Sequence, residues 1–176
     1  MKKLAVVLVF LAGAVFAQEQ KTPATLKSIL LDQLQTTHNK KDWFVDGNTA
    51  IAGLTAEQAT WTDGKGNHSV GQLTNHLVFW NRRTLAKLKG QPEEKFSGNN
   101  DETFNNFDAK QWNALVQAFD DNMKQWEDLV QSADDKKLAE WAPTIARVGT
   151  HNAYHIGQIV FVRREQGSWD PEKGVK

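Results

Sequence analysis

The chain has 176 residues, in which 21 lysines and arginines balance 21 aspartates and glutamates, and it contains no cysteine. A formal charge of zero gives no electrostatic reason to bind nucleic acid or an anionic membrane surface, and leaves an ion or a small molecule as the expected partner. Without cysteine there is neither disulfide support nor thiolate ligation, so stability rests on packing and any metal must be held by nitrogen or oxygen.

Lys2 and Lys3 precede an apolar run from Leu4 to Phe16 that closes in small residues around Ala17. The run falls short of the roughly 20 apolar residues that cross a bilayer, and has the plan of a secretory signal peptide cleaved near Ala17. The expectation is an exported protein, periplasmic or secreted. Its mature part, residues 18–176, is long enough for one core and too short to make two domains the natural reading. No cysteine stands at the cleavage point to carry a lipid, and no later stretch is apolar enough to span a membrane, so no stable membrane anchor is expected.

Start and stop signals then divide the chain into four long helices. Thr22-Pro23 opens the first, which carries Leu26, Ile29, Leu30 and Leu34 at helical spacing and ends near His38. A short helix follows Thr55, with Gln58 completing a capping box. Ser69 and Gln72 form the same box at the head of the second long helix, which runs to about Leu88. Gly90 to Glu102 reads as a connection. Asp108 with Gln111 caps the third long helix, where Phe107 and Trp112 are placed for a hydrophobic staple and Trp112, Leu115, Phe119, Met123, Trp126 and Leu129 mark the apolar stripe. The last helix begins near Pro143 and passes through Arg163-Arg164, charges suited to a helix C-terminus, before Gly167 and Pro171 stop it. Strand-like alternation is absent. The fold class is therefore all-α, a four-helix bundle with a longer link between its second and third helices. Seven tryptophans are available to fill it. Trp80, Trp112 and Trp126 are assigned to the core first and to pocket walls second.

Chemistry concentrates in the last helix. His151 and His155 stand four residues apart, so both imidazoles lie on one face and can reach one ion. Two ligands seldom suffice. His76 lies among Val70, Leu73, Leu77 and Trp80, the inward stripe of another helix, and is the third candidate. His38, at the C-terminal end of the first helix, and His68, just before the capping Ser69, are read instead as dipole- and cap-supporting residues. Tyr154 and Gln158 lie beside the pair as candidate partners of a metal-bound water or a substrate. No acidic side chain stands near the three histidines in sequence, and the catalytic residue is left unassigned.

The run His68-Ser69-Val70-Gly71-Gln72-Leu73 before His76, the later His151-xxx-His155-Ile156-Gly157-Gln158-Ile159, and the closing Arg163-Arg164 with Gly167-Ser168-Trp169-Asp170-Pro171 resemble the DinB-like (DinB/YfiT) superfamily of metal-binding four-helix bundles. The resemblance covers nearly all of the mature chain. It implies that His76, His151 and His155 hold one divalent ion, zinc or nickel first, with water completing the coordination. It further implies a metal-dependent hydrolase or transferase, the family's thiol transfer and thiol-dependent isomerisation being examples, acting on a small-molecule substrate, with a homodimer left open. Two other classes remain beside it: a protein that binds a metal or small ligand without turnover, and a metal-free helical interaction module.

Overall fold

The caps and stripes of the sequence resolve, in a computed structural model that describes residues 23–175, into seven α-helices and, among the described residues, no strand. The signal peptide, its cleavage near Ala17 and the helix start at Thr22 lie outside those residues. Helix α1 is Leu26–His38, and the short α2 and α3 are Gly47–Ile51 and Ala56–Thr60. The long α4, Val70–Leu88, is followed by the single turn α5, Glu102–Asn105. A 3-10 turn at Ala109–Gln111 leads into α6, Trp112–Ser132, and α7 is Asp135–Glu165.

The four long helices make the bundle. Helices α1 and α4 each pack on both α6 and α7, which sets α1 diagonally from α4 and α6 from α7. Every long helix sends apolar side chains inward: Leu34 from α1, Leu77 from α4, Phe119, Met123 and Trp126 from α6, and Leu138, Ile145 and Ile159 from α7 are all buried. Each such side chain contributes roughly 1.5–3 kcal/mol over leaving it in water. Helix α4 runs antiparallel to α7. One cavity places His76 and Thr84 against His151 and Thr144, and another places Leu73 against Gln158 and Phe161, so residue numbers rise on one helix as they fall on the other.

Both expected capping boxes are present, Thr55 with Gln58 and Ser69 with Gln72. Gly167, at φ +75, ends α7 where a side chain would be strained, and lets the amides of Ser168 and Gly167 turn back to the carbonyls of Arg163 and Arg164. Gly71 answers a different need. A Cβ there would overlap the Phe107 ring, which lies directly on α4.

Several boundaries differ from those read in the sequence. Helix α1 is capped by Thr25, whose side chain accepts from the Ser28 amide. Asp108 accepts from the Lys110 amide rather than from that of Gln111, so a 3-10 turn precedes α6, although Phe107 and Trp112 do meet edge-on at 6.3 Å. The largest difference is at α7, which starts at Asp135 and not near Pro143. Asp134 caps it by accepting from the Lys137 amide, and Leu138 is buried in its first turns. The helix runs through Pro143 despite the amide that proline lacks, because both sides of that residue, Leu138 and Ile145, are anchored in the core.

Two charged positions also change character. Arg163 is not a solvated end charge: it is buried, and its guanidinium donates to the carbonyls of Ala50, Ala52 and Ser168 at 2.7, 3.1 and 2.9 Å. His38 is fully buried, with Nδ1 2.6 Å from Glu127 Oε1 and Nε2 2.9 Å from Asp120 Oδ1, both on α6. Lys124, together with Asn48 and His38 and against the opposing effect of burial, holds the Asp120 carboxyl well below its usual range. His38 thus joins α1 to α6 rather than merely facing its own helix dipole. Replacing it by Ala removes the α1 partner of two carboxylates that are each about one-fifth exposed, of which Asp120 keeps Lys124 and Asn48. The expected loss is about 2 kcal/mol or more of unfolding free energy in urea titrations, and an unchanged midpoint would show the triad to be energetically idle.

Candidate metal centre

Antiparallel packing of α4 and α7 brings His76 opposite the pair His151 and His155. One nitrogen from each ring forms a group whose members all lie within 4.8 Å of one another. The Nε2 atoms of His76 and His151 are 3.1 Å apart, a gap that two bonds of about 2.0–2.1 Å to a shared ion would bridge. The His155 ring centroid is 4.6 Å from each of the others. His76 and His155 are buried and His151 is half-buried.

The far sides of the rings decide which nitrogen is available. The Thr103 hydroxyl donates to the Asn100 carbonyl at 2.7 Å, so towards His76 it can only accept, and Nδ1 of His76 donates to it at 2.6 Å. Gln158 does the same for His155: its Oε1 accepts from Nδ1 at 2.6 Å, while its amide nitrogen donates to the Tyr154 hydroxyl at 3.3 Å. Both rings therefore carry their proton on Nδ1 and turn the Nε2 lone pair inward. Phe104 completes the support, stacked on His76 at 4.0 Å and on His68 at 3.9 Å. Electrostatics agrees. Burial first, then the neighbouring imidazoles, pushes His76 down to about 3 and His151 down to about 4. Burial also lowers His155, although its bond to Gln158 opposes the shift. The rings are neutral at ordinary pH, the form in which imidazole donates to a metal.

A cavity of about 560 Å³ opens beside the group. The three histidines, Trp80 and Phe104 form one part of its wall, Asn81, Thr84, Asn100, Thr144, Arg147 and Val148 the rest, and no carboxylate lines it. Trp80 is accordingly not a core residue. It is half-buried in the cavity wall, its indole held by Asn100 Oδ1 at 3.1 Å, whereas Trp112 and Trp126 are in the core. Beneath the cavity Asn81 donates to Asn152 at 3.0 Å, joining α4 to α7 through a buried polar contact.

Of the residues named from sequence, His76, His151 and His155 converge, whereas His38 lies elsewhere and His68 stacks on Phe104 outside the group. Gln158 turns to a histidine, and Tyr154 is largely exposed with Gln158 as its hydrogen-bond partner. Thr103, Phe104 and Arg147 carry no signal in the sequence that marks them for the site. The first two sit on the four-residue α5, too short to show periodicity, inside a segment read as a connection.

A helical bundle with three inward imidazoles on two facing helices defines a class of protein whose interior could hold one divalent ion. The family comparison agrees with that class: a model of the DinB superfamily matches residues 48–160, and the chain belongs to that superfamily, which is commonly metal-binding. Comparison with curated proteins and with solved structures gave no match. No helix among the described residues is long and apolar enough to cross a membrane.

The lowered basicity of the three rings has a measurable consequence. In the unfolded chain they take up protons as pH falls through about 6.5, and in the folded chain only well below that. The unfolded state then binds more protons, so the contribution of these rings is fully present above about pH 6.5 and is lost as pH falls towards their folded values. Urea midpoints of chelator-treated protein should decline between about pH 7 and about pH 5, and less steeply in His76→Leu. Equal slopes for the two proteins would contradict the assignment.

Proposed function

We propose that the protein binds one divalent metal ion through Nε2 of His76, His151 and His155, and that the adjoining cavity admits a small molecule to that ion. The observation that carries the reading is the convergence of three neutral, inward-directed imidazoles at the wall of a cavity of about 560 Å³. The donor set fits a borderline ion, zinc or nickel first, because three nitrogens with no thiolate and no carboxylate favour such ions over magnesium or calcium. A metal with an open position supplies Lewis acidity towards a ligand oxygen or sulfur. The chain's own part is to orient and exclude. Thr103 and Gln158 fix the tautomers, Phe104 and Trp80 limit access of water, and Tyr154 steadies Gln158 from the surface.

The finer reading is a metal-dependent hydrolase or transferase acting on that small molecule. No side-chain carboxylate lines the cavity to serve as general base, which favours a transfer whose nucleophile is activated by the ion itself. Binding without turnover is the second reading, favoured by the same absence. We also propose that residues 1–17 are a signal peptide and 18–176 the working domain. The charged start and apolar run support this, and N-terminal sequencing of protein from the native host should begin near Gln18.

Elemental analysis of untagged protein should find about one equivalent of a transition metal or zinc. Replacing His76, His151 or His155 by Ala should weaken zinc binding at least about tenfold in chelator competition, while His38→Ala and His68→Ala leave it nearly unchanged. Gln158→Leu and Thr103→Val, which free a ring without removing it, should cost about 10–100-fold. Full affinity in all three His→Ala variants would end the metal reading. Proton competition should also set in late. Zinc affinity should fall on acidification below the ordinary imidazole range and be lost towards the depressed values of His76 and His151, because protons compete for the same lone pairs.

A further inference from the structure

Arg147 is the single permanent charge on the cavity wall. It stands one helical turn before His151 on α7, roughly 6 Å along the axis at 1.5 Å per residue. An exposed arginine on a helix is ordinarily a solvated surface group, and several features distinguish this one. It forms no ion pair among the described residues. Its helical neighbours Pro143, Thr144, Thr150 and His151 include no acid, and the cavity it borders has no carboxylate at all. From an exposed position the residue therefore borders a partly apolar cavity that offers it no acidic partner, in a chain that is neutral overall. The walls on either side, Trp80, Phe104 and Val148, are aromatic or aliphatic, while Thr84, Thr144 and Asn100 offer uncharged polar groups.

We propose that Arg147 is a binding residue for the carboxylate of a small organic acid with an apolar body, which it holds about one helical turn from the metal position. A guanidinium presents two parallel N–H donors to a carboxylate, a stronger match than any neutral group on this wall provides. The apolar body then lies against Trp80 and Phe104. Cationic ligands are excluded by the same charge, and all the more once a divalent ion is bound. The inference deepens the proposed function, resting on the cavity as the ligand pocket of the metal centre, but the arginine contact itself needs no ion.

Phenylacetate and its neutral counterpart phenylacetamide are suitable probes, titrated calorimetrically into chelator-treated and zinc-loaded protein. The acid should bind both forms saturably and the amide at least about tenfold more weakly. Arg147→Gln should lower affinity for the acid by about tenfold or more in the chelator-treated form, and Arg147→Lys should keep part of it, because the point charge remains while the fork is lost. Arg147 is exposed, so neither substitution disturbs the core. Equal binding of acid and amide, unchanged affinity for the acid in Arg147→Gln, or no saturable binding of the acid would each overturn the proposal. Zinc titration of the same proteins judges the metal reading separately. Arginine-dependent acid binding without zinc binding would uphold the acid site and reject the metal centre.

Discussion

The antiparallel contact between α4 and α7 is the constraint on which the rest of the structure depends. It places the inward stripe of one helix against that of the other, so that histidines 75 and 79 positions apart in sequence become neighbours. Three imidazoles in one apolar corner are costly to keep there. They cannot share the space as cations, and their basicity falls accordingly. What burial takes from their affinity for protons makes them available, at neutral pH, as lone-pair donors.

Holding those lone pairs in one direction requires more than two helices. The single turn α5 contributes Thr103 and Phe104, one bonded to His76 and one stacked on it, and Asn75 of α4 anchors the same turn by donating to the Thr103 carbonyl at 2.7 Å. Gln158 performs the equivalent task within α7, three residues beyond the ring it orients. Two of the three rings therefore have a fixed tautomer, and neither Thr103 nor Gln158 is among the residues that line the cavity.

Much of this was legible in the sequence, for identifiable reasons. Ser69 with Gln72 is a local signal that needs no tertiary knowledge, and it set the start of α4 and hence the register of His76. The spacing of His151 and His155 is likewise decided by helical geometry alone. The rest depends on contacts between distant segments. Pro143 reads locally as a helix start, but burial of Leu138 before it and Ile145 after it carries α7 through the proline. His38 looks like an end-of-helix residue until α6 brings Asp120 and Glu127 to either side. Trp80 follows the core spacing of α4, yet the helix beside it leaves a cavity where it would have packed. Arg147 has no local signature, since an arginine on a helix is common and only the emptiness of its surroundings marks it.

The clasp around Arg163 has a consequence for how the fold meets changing conditions. The buried guanidinium is surrounded by backbone dipoles: the carbonyls of Ala50 and Ala52 at the end of α2 and of Ser168 beyond α7, with the Trp169 ring 5.3 Å away. No carboxylate pairs with it among the described residues. Carbonyl groups do not titrate, and a charge held by dipoles at close range is little affected by dissolved salt. The fastening that ties the α2 segment and the C-terminal tail to α7 is thus made without a titratable acceptor, whereas the one tying α1 to α6 is built from a histidine and the carboxylates of Asp120 and Glu127.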